Sequence, residues 1–199
     1  MTFVLFYYTF AMGVINAHNT WLPVTVIELL KYITTSLDRL EIAYMLSGGL
    51  AFNAYSIPRM TRDIDIVIEL QMHHLSDFIK LFRQHFYYDE QNIKEEIRRR
   101  GMFNIIDQKS GYKIDFMMRQ TSEYGYVAFS RRINIAPFGF SICIITLEDL
   151  VLAKVQFIQQ YQSELHMRDI HYLLENPEAD KDYILHWCKE LKLNTYDLF

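Results

Sequence analysis

Apolar residues recur along this chain with two different periods, and the switches between them mark the predicted elements. Over residues 24–39, Ile27, Leu30, Ile33 and Leu37 fall three or four apart, the spacing of one buried helix face. "EIAYML" (41–46) is a short, mostly apolar run that ends at Ser47-Gly48-Gly49, and it predicts a buried strand. "LAFNAYS" (50–56) predicts a short helix that must stop before Pro58. "RDIDIVIEL" (62–70) alternates apolar with polar over most of its length and is β-branched, so it predicts a strand. Residues 74–86 form an amphipathic helical pattern, and 90–100 a charged one. "MFNIID" and "YKIDFMM" predict two strands joined by the hairpin signal Gln108-Lys109-Ser110-Gly111. Residues 122–132 are predicted helical, and "FGFSICII" (138–145) is predicted to be the last strand. From Thr146 onward three helical segments follow.

That order predicts an α+β fold, a small mixed β-sheet flanked by helices with a C-terminal helical bundle. The expected division is an N-terminal extension over 1–22, a core over 23–145 and a helical region over 146–199. The extension contains "MTFVLFYYTFAMGVINA", which is apolar but carries no Lys or Arg and is shorter than the ~20 residues a spanning helix needs. No membrane span is expected. The segment reads either as an interaction strand or helix, or as the product of an upstream start codon with Met12 the true start.

The 199 residues suit one globular domain, and a net charge of −4 gives no global case for nucleic-acid binding. Arg98, Arg99 and Arg100 are the one dense basic run. Cys143 and Cys188 have no metal-ligand spacing and sit in apolar contexts, which predicts free thiols and a reducing, cytoplasmic location. His73, His74, His85, His166 and His171 show no zinc pattern, and the tyrosines, Tyr87-Tyr88 included, read as core and surface.

The chemistry is concentrated around the 62–70 strand. Residues i and i+2 of a strand share a face, so Asp63 and Asp65 point together while Ile64 and Ile66 point into the core. Two carboxylates so placed repel unless a cation compensates, and a divalent metal that also holds phosphate oxygens is a natural one. The alternative is the solvated face of an edge strand. Ser47, Gly48 and Gly49 lie at a strand end before a helix, where backbone N–H groups can approach a phosphate; a tight turn alone would also account for them. Asp115, between Ile114 and Phe116, is a third acid on a strand, and its alternative is an ion pair with Arg119 or Lys113. Asp107 falls at the hairpin and reads as structural. Arg59, Thr61 and Arg62 precede the Asp-x-Asp strand, and an arginine fork suits phosphate. In "TLEDLVLAKVQFIQQY", a capping box from Thr146 to Asp149 opens a helix whose apolar stripe is Leu147, Leu150, Val151 and Ile158. A turn of about 100° per residue puts Lys154 in the middle of that stripe, where it must snorkel or find an anionic partner.

"GGLAFNAYSIPRMTRDIDIVI" and "KIDFM" resemble the motifs of polymerase-β-type nucleotidyltransferases. The "Y-x-x-P-R-x-T-x-D-x-D" form is most similar to the AbiEii/MenT-like toxin nucleotidyltransferases, over about residues 41–175. Many members have Ser where this chain has Gly49, and Ser47 could partly replace that hydroxyl. The resemblance implies a nucleotidyltransferase core that moves a nucleoside monophosphate from an NTP to an acceptor hydroxyl, releasing pyrophosphate. It implies Mg²⁺ or Mn²⁺ held by Asp63, Asp65 and Asp115, with Asp115 also taking the acceptor's proton. Lys154 would be catalytic. Ser47, Gly48, Gly49, Arg59, Thr61, Arg62 and Asp169 would bind nucleotide, with Asp169, which follows Arg168, orienting Lys154 or meeting base or ribose. The implied acceptor is an RNA end such as tRNA, or a protein side chain, and an antitoxin protein is the implied partner of a toxin–antitoxin system. Two other readings stand beside it: an aminoglycoside-type small-molecule enzyme, for which "YYDE" (87–90) and "ENPEAD" (175–180) could receive a polycation, and a nucleotide-binding or interaction module without turnover.

Overall fold

The computed structural model describes residues 22–161 and 163–198. The segment read as an N-terminal extension therefore lies outside the described residues except for Leu22, which opens the first helix. The elements are α1 (Leu22–Arg39), β1 (Tyr44–Ser47), α2 (Gly48–Tyr55), β2 (Asp63–Ile68), a 3₁₀ turn (Met72–His74), α3 (Leu75–Phe82), β3 (Phe86–Tyr87) and α4 (Glu90–Arg99). They continue with β4 (Met102–Asp107), β5 (Lys113–Met118), α5 (Glu123–Ser130), β6 (Ile133–Ile135), β7 (Ile142–Ile144), α6 (Leu147–Gln160), α7 (Glu164–Leu174) and α8 (Lys181–Glu190).

The strands make one seven-stranded mixed sheet in the order β3-β4-β5-β2-β1-β7-β6. β2 runs parallel to β5 and antiparallel to β1, and β1 runs parallel to β7. β2 is thus the middle strand, so its aspartates do not belong to an edge strand. Its alternation does what the sequence predicts: Ile64, Ile66 and Ile68 are fully buried on one face while Asp63, Asp65 and Val67 stay partly accessible on the other. The apolar face continues into Phe103, Ile105, Ile114 and Phe116, all buried. Helix α3 covers it by laying Phe78 edge-on to Phe116, at 5.4 Å between ring centroids, and to Phe103, at 5.8 Å. Tyr32 of α1 stacks on Phe86 and donates to the Leu81 carbonyl, joining α1 to the same layer.

Two short strands depart from the expected order. The helix predicted over 74–86 stops at Phe82, and Phe86–Tyr87 pairs with β4 as β3. Ile133–Ile135 forms the edge strand β6, and the predicted 138–145 strand narrows to Ile142–Ile144, with Gly139 at φ +75° in the intervening turn. The β4–β5 hairpin is as predicted: Gly111 takes φ +74°, and Asp107 accepts from the Ser110 backbone N–H at 2.8 Å, a structural role.

The C-terminal helices are fastened through a buried acid. Thr146 caps α6, accepting from the Asp149 N–H at 3.4 Å, and its hydroxyl donates to the Asp149 carboxylate at 2.7 Å. That fully buried carboxylate also accepts from Tyr124 of α5 at 3.1 Å, from Tyr183 of α8 at 2.9 Å and from Arg131 Nε at 3.1 Å. Arg131 lies over the Tyr183 ring, 4.0 Å from its centroid, and also reaches Glu148. A buried carboxylate is stable only with such a complete shell of donors. Asp149→Ala strands Arg131 and three hydroxyls and should lower stability by about 3 kcal/mol or more. Tyr183→Phe removes one donor of four and should cost about 1 kcal/mol; denaturant melts of both variants check the ranking.

Candidate active site

The site grows from the end of β1 and from the polar face of β2 and β5. Ser47 pairs with Asp65 across β1–β2, and Asp65 pairs with Asp115 across the parallel β2–β5 ladder. Asp63 pairs with Lys113 one step earlier. Four charged side chains therefore share one face of the middle of the sheet.

The Gly48-Gly49 turn is shaped around Asp65. Gly48 has φ +61°, and a Cβ on it would overlap the Asp65 carboxylate, so only glycine suits both demands. The Gly49 backbone N–H, at the start of α2, donates to Asp65. A Cβ at Gly49 would sit 2.7 Å from Thr61 Oγ1, so a side chain there would have to push Thr61 aside. Ser47 is the N-cap residue of α2, is buried, and makes no side-chain capping bond. Thr61 Oγ1 is 3.3 Å from the Asp63 carbonyl oxygen, and Arg62 is exposed in the same loop.

Burial pushes the Asp65 carboxyl above its ordinary range, and the neighbouring Asp115 pushes it further against the opposing Gly49 N–H. Asp115 is nearly buried, its side chain 10% exposed, and Lys113 Nζ lies 2.8 Å from its Oδ2. Its Oδ1 is buried and has no hydrogen-bond partner. Lys113 Nζ is also 3.7 Å from Asp63 Oδ1, while Arg119, the other expected partner of Asp115, pairs with Glu69. Among the described residues no three His, Cys, Asp or Glu side chains are gathered into a ready-made metal group. The three aspartates share a face with an ammonium lying against two of them. A buried carboxylate oxygen without a donor and a neighbour raised by like charge are atoms that a divalent cation satisfies, so the donor set fits one.

A second cluster adjoins it. Asp169, on α7 and only 1% exposed, accepts from Arg59 Nε at 3.0 Å and Nη2 at 2.7 Å, and from Lys154 Nζ at 2.8 Å. Lys154 has found an acid rather than snorkelling, and its side chain is 5% exposed. Both Asp169 oxygens accept from these two cations. Arg168 is exposed and takes no part. Burial would raise the Asp169 carboxyl, but Arg59 and Lys154 outweigh it and hold it below its ordinary value, while burial lowers the Lys154 ammonium. The Phe52 ring lies under both cations, 5.3 Å from Arg59 and 5.6 Å from Lys154.

Asn53 is a member that sequence reasoning missed. Its amide clamps the Arg59 backbone from both sides, donating to the carbonyl at 2.8 Å and accepting from the N–H at 2.9 Å. The available signal was a lone amide beside Ala51 and Phe52 in a short apolar helix, a residue that needs partners. One turn beyond Lys154 and Asp169, Phe157 of α6 stacks on His166 of α7 at 4.2 Å, with Phe157 43% exposed.

Solved structures share this architecture. The chain is similar to the solution structure of the antibiotic-resistance factor ANT(2'')-Ia, with TM-score 0.56 and 11% identity over 86% of this chain and 94% of that one. It is similar to an antigenic nucleotidyltransferase-like protein from Paracoccidioides brasiliensis, with TM-score 0.52 and 15% identity over 82% of this chain and 87% of that one. A putative nucleotidyltransferase from Thermotoga maritima matches with TM-score 0.51 and 14% identity over 77% of this chain and 97% of that one. Among curated proteins nothing matches by sequence. Fold and motifs together define a polymerase-β-type nucleotidyltransferase. Within that superfamily the chain belongs to the nucleotidyl transferase AbiEii toxin family of type IV toxin–antitoxin systems, whose profile matches residues 32–196. Among the described residues no helix is long and apolar enough to cross a membrane.

The Arg59–Asp169–Lys154 cluster sets a pH-dependent part of stability. Folding depresses Asp169 below its ordinary 3.8, so its contribution is full above that value and is lost as pH falls through the lower folded-state value. Asp169→Asn strands two cations and should cost about 3–5 kcal/mol near neutral pH, whereas Lys154→Met leaves Arg59 on the acid and should cost about 1–3 kcal/mol. Melts across pH should show the gap between parent and Asp169→Asn closing in acid.

Proposed function

We propose that this chain transfers a nucleoside monophosphate from an NTP to a hydroxyl of an acceptor RNA, tRNA being the first candidate, as the toxin of a pair with an antitoxin protein. The observation that carries the reading is the register of Asp65 with Asp115 beside the Gly48-Gly49 turn, on a chain of the AbiEii family. Asp63, Asp65 and Asp115 would hold Mg²⁺ or Mn²⁺. Such an ion supplies neutralising charge for the triphosphate and for the pyrophosphate that leaves.

The protein's own groups account for the rest. Ser47 and the N-terminal turn of α2, with Gly48 and Gly49, offer donors toward the phosphates. Arg59 and Lys154 place positive charge at the same end, and Asp169 fixes their direction while Asn53 fixes the loop that carries Arg59. Thr61 and Arg62 complete the loop, Arg62 being exposed toward incoming anions. The acceptor hydroxyl oxygen bonds to the α-phosphorus as its proton passes to Asp115. The bond from that phosphorus to the bridging oxygen breaks, and its electron pair leaves with pyrophosphate. Phe157, exposed and stacked on His166 one turn beyond the Lys154–Asp169 pair, offers an aromatic surface on which an unpaired base can stack.

The test is labelled-phosphate transfer from each NTP with Mg²⁺ or Mn²⁺, offering total tRNA, protein and an aminoglycoside separately. Label should enter RNA from one NTP. Asp65→Asn should abolish it while melting no lower than the parent without metal, because a like-charge repulsion is removed. Asp115→Asn should lower turnover by at least ~10²-fold. Transfer to the aminoglycoside alone, or undiminished transfer by Asp65→Asn, contradicts the reading.

A further inference from the structure

The geometry points to Lys113 as a built-in counter-ion that holds the place of a divalent cation between Asp63 and Asp115, and that the metal must displace to enter. This rests on reading the aspartate face as metal-holding. Lys113 is the register partner of Asp63 and stands two residues before Asp115, so strand geometry alone directs it to the carboxylate face. Its ammonium is 2.8 Å from Asp115 Oδ2 and 3.7 Å from Asp63 Oδ1, touching two of the three acids. It sits on Oδ2 and leaves Asp115 Oδ1 buried and without a donor.

The arrangement has a physical logic. Without a cation, three carboxylates on the central strands would repel across the middle of the sheet, and Lys113 relieves part of that cost. Its side chain is 40% exposed, so the ammonium can swing into solvent without disturbing β5. A divalent ion brings twice the charge and can use the oxygen that Lys113 leaves unserved. The bare ion, however, must pay for breaking the lysine contact, so the site accepts metal poorly alone. A metal arriving with a triphosphate also brings an anion on which the released ammonium can settle. Lys113 is therefore a positioning residue that biases the site toward the metal–nucleotide complex.

The test is Mn²⁺ binding to the full chain, followed by electron paramagnetic resonance without nucleotide, so that catalysis plays no part. Lys113→Met and Lys113→Gln remove the competing charge and should bind Mn²⁺ roughly tenfold more tightly than the parent. Lys113→Arg keeps a cation and should bind like the parent or more weakly. Without metal, Lys113→Met should melt below the parent, and added Mn²⁺ should raise its melting temperature more than it raises the parent's. Using both neutral variants guards against one failing to fold. Mn²⁺ binding no tighter in Lys113→Met and Lys113→Gln than in the parent overturns this inference and leaves the metal site standing. Absence of Mn²⁺ binding in parent and variants alike, also when a non-hydrolysable NTP analogue is added, overturns both.

Discussion

Two carboxylates in register on adjacent parallel strands, Asp65 and Asp115, are the constraint around which the molecule is organised. Like charges in the middle of a sheet are unfavourable unless something nearby answers them. The nearby answers are a Gly49 N–H on Asp65 and the Lys113 ammonium on Asp115, and they leave one buried oxygen unserved. The rest of the fold maintains this imbalance. The opposite face of β2 and β5 is filled by Ile64, Ile66 and Phe116, all fully buried beneath α3, so the strands cannot slip to relieve the repulsion. A slip of one residue would bury the aspartates and expose the isoleucines.

The second cluster meets the same problem from the other sign. Arg59 and Lys154 are two cations brought close together, and the fully buried Asp169 is what allows it. Phe52 supports both from below, and Asn53 pins the loop, so one short helix after the glycine turn locates both halves of the site. The Asp149 hub, with donors from α5, α8 and the α6 cap, fixes α6 and hence the base of Lys154. The aspartates of the sheet and the Arg59–Lys154 pair are thus each fixed by rigid elements, the preorganisation that the proposed metal–triphosphate site would need.

Much of this was legible in the chain. The alternation of "DIDIVI" placed Asp63 and Asp65 on one face, and the turn signal after Asp107 gave the hairpin that carries Asp115. The stripe of α6 marked Lys154 as a lysine in need of an anion, and the anion is there. The missed features depend on distance along the chain or on brevity. Strands of two and three residues, β3 and β6, are too short for any period to register and exist because neighbours pair with them. The Arg59–Asp169 contact spans 110 residues, so nothing near either residue in the chain announces it. The Asp149 hub looked like an ordinary helix cap, because nothing local announces that two tyrosines and an arginine will arrive from other elements.

On the proposed reading, the aspartate face is short of positive charge and takes a divalent cation to make it up. The most direct measurement is the melting temperature of the parent and of an Asp65→Asn/Asp115→Asn double variant as Mg²⁺ is added together with a non-hydrolysable analogue of each NTP, at constant ionic strength. A ligand that binds only the folded state raises its stability with concentration. The parent should therefore show a saturating rise and the double variant none. A parent whose melting temperature ignores Mg²⁺, or a double variant that responds equally, would contradict the account.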